Sequence, residues 1–220
     1  MKPDSVLQRD VEAELAWVAE VDETDIAVKV RDGVVALAGY VPSYPQKYRA
    51  ESAVKRVAGV KAVANDLSVR IPLGGARTDP EIARDILARL QIELPLEWEN
   101  VKPLVHEGRV TLDGRLERHF EREIAEGVAR RVPGVVSVRN SIALKPRTPG
   151  LAATEIKRGI EEAFRRSAAL DAQSVTVETD GSQVTLRGEV RSWSEHDQAQ
   201  KTAWSAPGVT SVHNEITVRT

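Results

Sequence analysis

The sequence predicts an α+β protein of three tandem αββαβ modules, each a small mixed three-stranded sheet with two helices packed on one face. The first observation behind this is an internal repeat. Gly39, Gly59 and Asn65 return as Gly114, Gly134 and Asn140 after 75 residues, and as Gly188, Gly208 and Asn214 after a further 74. A period of that size marks a chain of like structural units. The second is the opening of each copy, where Leu7, Val11 and Leu15, then Ile82, Ile86 and Leu90, then Ile156, Ile160 and Phe164 recur at spacing four. That spacing puts each triplet on one helix face. The third is strict alternation around the first glycine, in Val35-Ala36-Leu37-Ala38-Gly39, Val110-Thr111-Leu112-Asp113-Gly114 and Val184-Thr185-Leu186-Arg187-Gly188. A period of two belongs to strands covered on one side.

The elements follow in the same order in every copy. The opening helix of the second copy is expected to start at Asp79-Pro80, with Asp as N-cap and Pro in the first turn. An acidic loop comes next, in which Val21, Leu96 and Leu170 align, as do Asp22, Glu97 and Asp171. A first strand, Ile26–Val30, turns at Asp32-Gly33 into the second; in the third copy the turn is Asp180-Gly181-Ser182, its glycine one place earlier. Pro103 lacks a ladder donor, so the first strand of the second copy is expected at a sheet edge or a bulge. Ser43 with Gln46, and Ser192 with Glu195, have capping-box spacing for the second helix; Arg118 takes the cap position in the second copy. Gly59, Gly134 and Gly208 are expected as left-handed C-terminal caps, with Pro133 and Pro207 stopping the helix before them. Joints rich in Pro and Gly, Ile71–Arg77 and Lys145–Gly150, set the domains at 1–71, 76–145 and 151–220.

Composition removes several function classes. The chain has no cysteine, which excludes disulfides and thiolate metal sites. Its 31 basic and 33 acidic residues spread as net −1, +1 and −2 over residues 1–75, 76–150 and 151–220. No strongly basic domain results, which argues against nucleic acid as a partner. Met1-Lys2-Pro3-Asp4 leads into the first helix without the apolar core of a signal peptide, and the expected location is cytoplasmic, or periplasmic if a leader had been removed.

The pattern Gly-x-Val-x-Leu-x-Gly, followed twenty residues later by Gly-Val-x-x-Val-x-Asn-x-Leu/Ile, resembles the BON domain, named for bacterial osmotic-stress and nodulation proteins. All three copies carry it, the third with Ser182 at the place of the first glycine. The resemblance implies an α/β binding module of envelope or stress-response proteins, with attachment to phospholipid membranes proposed and some members linked to potassium sensing. It implies no catalytic residues, and no cofactor is expected.

Candidate sites are therefore binding sites. His106, His119, His196 and His213 fall at unrelated repeat positions and form no metal-ligand spacing. The acidic loops, with Asp22, Glu97 and Asp171 aligned, offer the hard oxygen ligands of a cation, against the plainer reading of a solvated loop. Tyr44, His119 and Trp193 align at the start of the second helix, where amphipathic rings either bind a membrane or partner surface or staple the end of the sheet; Trp204 is a further candidate. Asn65, Asn140 and Asn214 share parity with the buried valines, so their side chains are expected to bond nearby backbone. The glycines Gly39, Gly59, Gly114, Gly134, Gly188 and Gly208 read as structural. Strand parity places Ala27, Lys29, Val34, Ala36, Ala38 and Ala64 on the open sheet face of the first copy, a small-residue surface expected to be covered by another repeat or another chain. The leading reading is a noncatalytic binding or scaffolding protein for a protein partner or phospholipid surface. The alternative is a soluble potassium sensor using the loops between the first helix and first strand.

Overall fold

A computed structural model describes residues 2–72, 77–145, 152–167 and 174–219. It divides into two compact units, Met1–Leu116 with Glu121–Ala143, and Glu117–Phe120 with Leu144–Thr220. The first module consists of α1 (Asp4–Trp17), β1 (Ile26–Arg31), β2 (Val34–Val41), α2 (Tyr44–Arg56) and β3 (Ala62–Val69). The second has α3 (Asp79–Glu93), β4 (Val101–His106), β5 (Arg109–Leu116), α4 (His119–Arg130) and a last strand in two pieces, β6 (Ser137–Asn140) and β7 (Ala143–Leu144). The third has α5 (Ala153–Arg166), β8 (Val175–Asp180), β9 (Gln183–Val190), α6 (Trp193–Trp204) and β10 (Ser211–Val218). In each sheet the second strand is central, antiparallel to the first and parallel to the last. The predicted mixed α+β module is thus present three times.

Hydrophobic burial holds the helices to one face of each sheet. Leu7, Val11 and Leu15 are buried against Val28, Val35 and Leu37, and the triplets of α3 and α5 are buried in the same way. Removing three such side chains from water contributes about 5–9 kcal/mol before chain entropy is counted. Packing therefore outweighs capping in α1, whose Pro3 cap position makes no side-chain bond.

Four local expectations need correction. The N-cap of α3 is Thr78, whose amide donates to Glu81 Oε2 at 2.9 Å; Asp79 instead accepts from the amides of Glu107 and Gly108 at 2.8 and 2.9 Å. Asp4 grips Asp32 and Gly33 in the same manner at 2.8 and 3.1 Å, so this carboxylate clamps the helix to the β-hairpin turn. These two hairpins have positive φ at both central residues, as a type I′ turn requires, while in the third only Gly181 does, which fits the earlier glycine.

In α2, Ser43 makes no side-chain cap bond, and Gln46 Oε1 accepts from Asp22 N, 3.2 Å away, rather than from the cap residue. Ser192 does cap α6, its Oγ accepting from Glu195 N at 3.2 Å.

The late glycines are not helix caps. Val57 caps α2 in an extended conformation, and Gly59 sits in the turn closed by Val60 N donating to Val57 O at 3.3 Å. Val132-Pro133-Gly134-Val135 and Ala206-Pro207-Gly208-Val209 close in the same way, with φ of +92° and +86° at the glycines. Pro followed by a positive-φ Gly is the type II turn signature, so the proline shapes the turn as well as ending the helix. Pro103 lies on edge strand β4, opposite Leu112.

The fourth correction concerns the acidic loop. α3 runs one residue beyond the equivalent of α1, so Leu94, 5 % exposed, fills the place of Val21 and Leu96 is 90 % exposed.

Candidate binding faces

Two repeated devices fix the geometry of each sheet. Asn65 Nδ2 donates to Lys47 O and Glu51 Oε2 at 3.2 and 3.1 Å, while its Oδ1 accepts from Leu67 N at 3.3 Å. Asn140 does the same with Arg122 O, Glu126 and Ile142 N, and Asn214 with His196 O, Gln200 and Ile216 N. Each asparagine thereby joins the last strand to the second helix, and its partner at Glu51, Glu126 or Gln200 was not foreseen from sequence. Burial raises the Glu51 pKa, but hydrogen bonds from Lys55 and Asn65 and the charges of Lys55 and Lys47 outweigh it and hold the carboxyl below its ordinary value.

The early glycines form the second device. A Cβ on Gly39, Gly114 or Gly188 would lie 1.9, 1.9 and 2.0 Å from the carbonyl oxygens of Asp25, Asn100 and Ser174. No side chain fits there, and the carbonyl of Asp25 is free to accept from Tyr40 N at 3.1 Å.

These constraints leave one face of each sheet turned away from the helices. In the first module Ala27, Lys29, Val34, Ala38 and Ala64 are exposed and Ala36 is half-buried. Among the described residues no element of the same unit covers this face. A shallow cavity of about 320 Å³ lies on it, lined by Lys29, Val30, Arg31, Asp32, Val34 and Ala36. Tyr40 stands at one end of this surface under the Arg70 guanidinium, 3.4 Å from the ring centre.

The other candidate residues separate. Tyr44 is half-buried at the start of α2. Within the second unit His119 stacks on Trp204, centroids 4.1 Å apart and planes at 11°, and Trp193 meets His196 edge-on at 4.7 Å. Trp204 also packs on the core of the third module. These rings are engaged with one another. Asp22 is exposed, and hydrogen bonds from Thr24 lower its pKa; Glu97 Oε2 accepts from Asn100 Nδ2 at 2.7 Å beside a 3-10 turn, Trp98–Asn100. The two loops are built differently, and Asp171 lies outside the described residues. Among the described residues no group of three His, Asp or Glu is placed to hold a metal ion.

Several features were not singled out from sequence. Trp17 and Ile92, at matching places at the ends of α1 and α3, are 85 % and 78 % exposed. Both are large apolar residues off the spacing-four stripe of their helix, which was the available signal. In the first module Arg56 bridges α2 to Glu14 of α1 at 2.7 Å. The third module has Ser205 and Ala163 at those places, and a furrow of about 440 Å³ opens between α5 and α6 beside Gly159.

Architecture and sites together define a repeat protein made from one small α+β module used three times. The family model described as BON domain matches residues 3–71, 78–146 and 152–220, and the chain belongs to that family. It is 32% identical over 146 residues to Osmotically-inducible protein Y of Escherichia coli (strain K12), covering 64% of this chain and 73% of that protein. It is 29% identical over 125 residues to an uncharacterized protein in the gshII 5′ region of Anaplasma centrale, covering 56% of this chain and 83% of the other. Among solved structures it is similar to CdsD, a structural protein of the type III secretion system of Chlamydia trachomatis, at 13% identity and TM-score 0.27, covering 97% and 92% of the two chains. It is also similar to the periplasmic domain of PrgH, at 16% identity and TM-score 0.22, covering 90% and 96%.

The expected cytoplasmic location is corrected at this point. It rested on the missing apolar leader at Met1–Asp4, and where a sequence begins does not decide its compartment. The relative that shares 32% identity with it is an osmotically inducible protein, which lends the cytoplasmic expectation no support.

Proposed function

We propose that this chain is a noncatalytic binding and scaffolding protein of the stress- and envelope-associated kind, which seats a protein partner on the open sheet face of its first module. Membership of the BON family and the likeness to an osmotically inducible protein support the class. The observation that carries the site is the exposed row Ala27, Val34, Ala38 and Ala64, with Val34 42 % exposed. Small side chains on a rigid sheet allow close approach of another folded surface, and they lack the long apolar groups that insert into lipid. A phospholipid surface is therefore the second outcome of the test. The cation reading has no such support, since Asp22 and Glu97 sit in unlike loops.

The test compares the intact chain with Val34→Lys and Ala38→Lys as bait in extracts of osmotically stressed cells and against anionic vesicles. The expected result is a discrete protein retained by the parent and lost by both variants, with circular dichroism unchanged. Equal retention by all three chains, or capture by vesicles alone, would overturn the assignment.

A further inference from the structure

The strands sort charge in a way that the net charge of each module conceals. On the second module the open face carries Lys102 and His106 from β4, Arg109, Asp113 and Arg115 from β5, and Arg139 from β6, all exposed. Four permanent cations thus stand against one acid. Leu104, 69 % exposed, lies among them opposite Thr111, which pairs on its other side with Arg139. On the third module the equivalent face carries Glu178 and Asp180 from β8, Arg187 and Glu189 from β9, and Glu215 from β10, again all exposed. Here four acids stand against one cation. Arg187 is held between Glu178 and Glu215 at 2.7 Å from each, which organises the middle of that face.

We propose that copies of this chain associate head to tail, the basic sheet face of the second module on one copy lying against the acidic sheet face of the third module on another. Both faces belong to one module architecture, with a first strand of six residues and a central strand of eight in each, the last strand being split into β6 and β7 only in the second module; sheets of like twist pack face to face with their strands nearly aligned. The opposite signs supply steering and register. Strands about 4.8 Å apart, with 20 residues in the second sheet and 22 in the third at 3.3 Å per residue, offer roughly 320–350 Å² per face. The pair therefore buries about 640–700 Å² in total, below the roughly 1,200 Å² of stable complexes, so the contact is weak and salt-sensitive. It is also heterologous. Each pair keeps one basic and one acidic face open, and further copies add in the same sense.

Sedimentation equilibrium of the full chain over a concentration series, at low and high salt, reads this out. At low salt the average mass is expected to climb from one chain toward two and beyond as concentration rises, and at high salt to return to one chain. Arg109→Glu with Arg139→Glu, and separately Asp180→Lys with Glu189→Lys, should each stay monomeric at low salt. A mixture of the two double variants should associate, because the first keeps the native acidic face and the second the native basic one. Circular dichroism checks the fold of each, and either double variant suffices if the other fails to fold. A chain that remains monomeric at low salt, association indifferent to salt or to both charge reversals, or a monomer whose basic face binds anionic vesicles instead, would each overturn the proposal.

Discussion

Replacing Gly39 by alanine and, separately, Gly59 by alanine sets two kinds of glycine requirement against each other within one module. Both residues have positive φ, +124° and +102°. That conformation costs a side-chain-bearing residue about 1–3 kcal/mol. At Gly59 the added Cβ meets Leu7 Cδ1 at 3.6 Å and Lys2 at 3.8 Å, ordinary contact distances, so the backbone cost stands nearly alone. At Gly39 the Cβ falls 1.9 Å from Asp25 O, where ordinary contact begins near 3.4 Å. The start of β1 must move away, and the bond from Tyr40 N to Asp25 O is lost with it. That loss adds about 1 kcal/mol, and displacing the strand end raises the total to about 3–5 kcal/mol. A module of this size has only about 4–10 kcal/mol of stability to draw on. Native-state hydrogen exchange of the full chain, read over residues 3–71, should show near-loss of protection for Gly39→Ala and about 1–3 kcal/mol of weakening for Gly59→Ala. Equal effects would refute the close-approach argument.

Two further substitutions test the strand-to-helix joint. Asn140→Ala should destabilise the second module by about 2 kcal/mol, since it removes the bonds to Arg122 O, Glu126 Oε2 and Ile142 N, Glu126 keeping its ion pair with Arg130; urea unfolding followed by exchange in residues 78–146 measures it. Because the Glu51 pKa is depressed in the folded state, its contribution is present above the unfolded value and is lost as pH falls through the folded one. Thermal melts from neutral pH down through the carboxylate range should therefore show Glu51→Gln less stable than the parent at neutral pH, with the gap closing in acid. A gap that widens in acid would contradict the sign. The third module has Gln200 at this place and lacks that acid sensitivity.

Sequence periodicity disclosed what depends on local spacing. Leu7, Val11 and Leu15 share a helix face whatever surrounds them, and Asp32-Gly33 suits its turn by backbone preference alone. Features set by docking were hidden. The partner of Asn65 is Glu51, fourteen residues back, and the two meet only because α2 lies over β3. Val21 and Leu96 align in sequence, yet one more helical residue in α3 gives the buried place to Leu94. Pro133-Gly134 carries a local stop signal, but it also shapes a type II turn. The charges of the open faces vanish from module totals, because helix residues of opposite sign offset them, yet strand parity alone puts Lys102, Arg109, Asp113 and Arg139 on the second open face.

The central claim is that the open face of the first sheet is a partner surface. Its most direct test is a photoreactive residue placed at Ala38 on that face, with a control at exposed Glu12 on α1, in the intact chain within osmotically stressed cells. A protein adduct from position 38 and none from position 12 is the predicted result. Adducts from position 12 alone would put the partner on the helices and contradict the account.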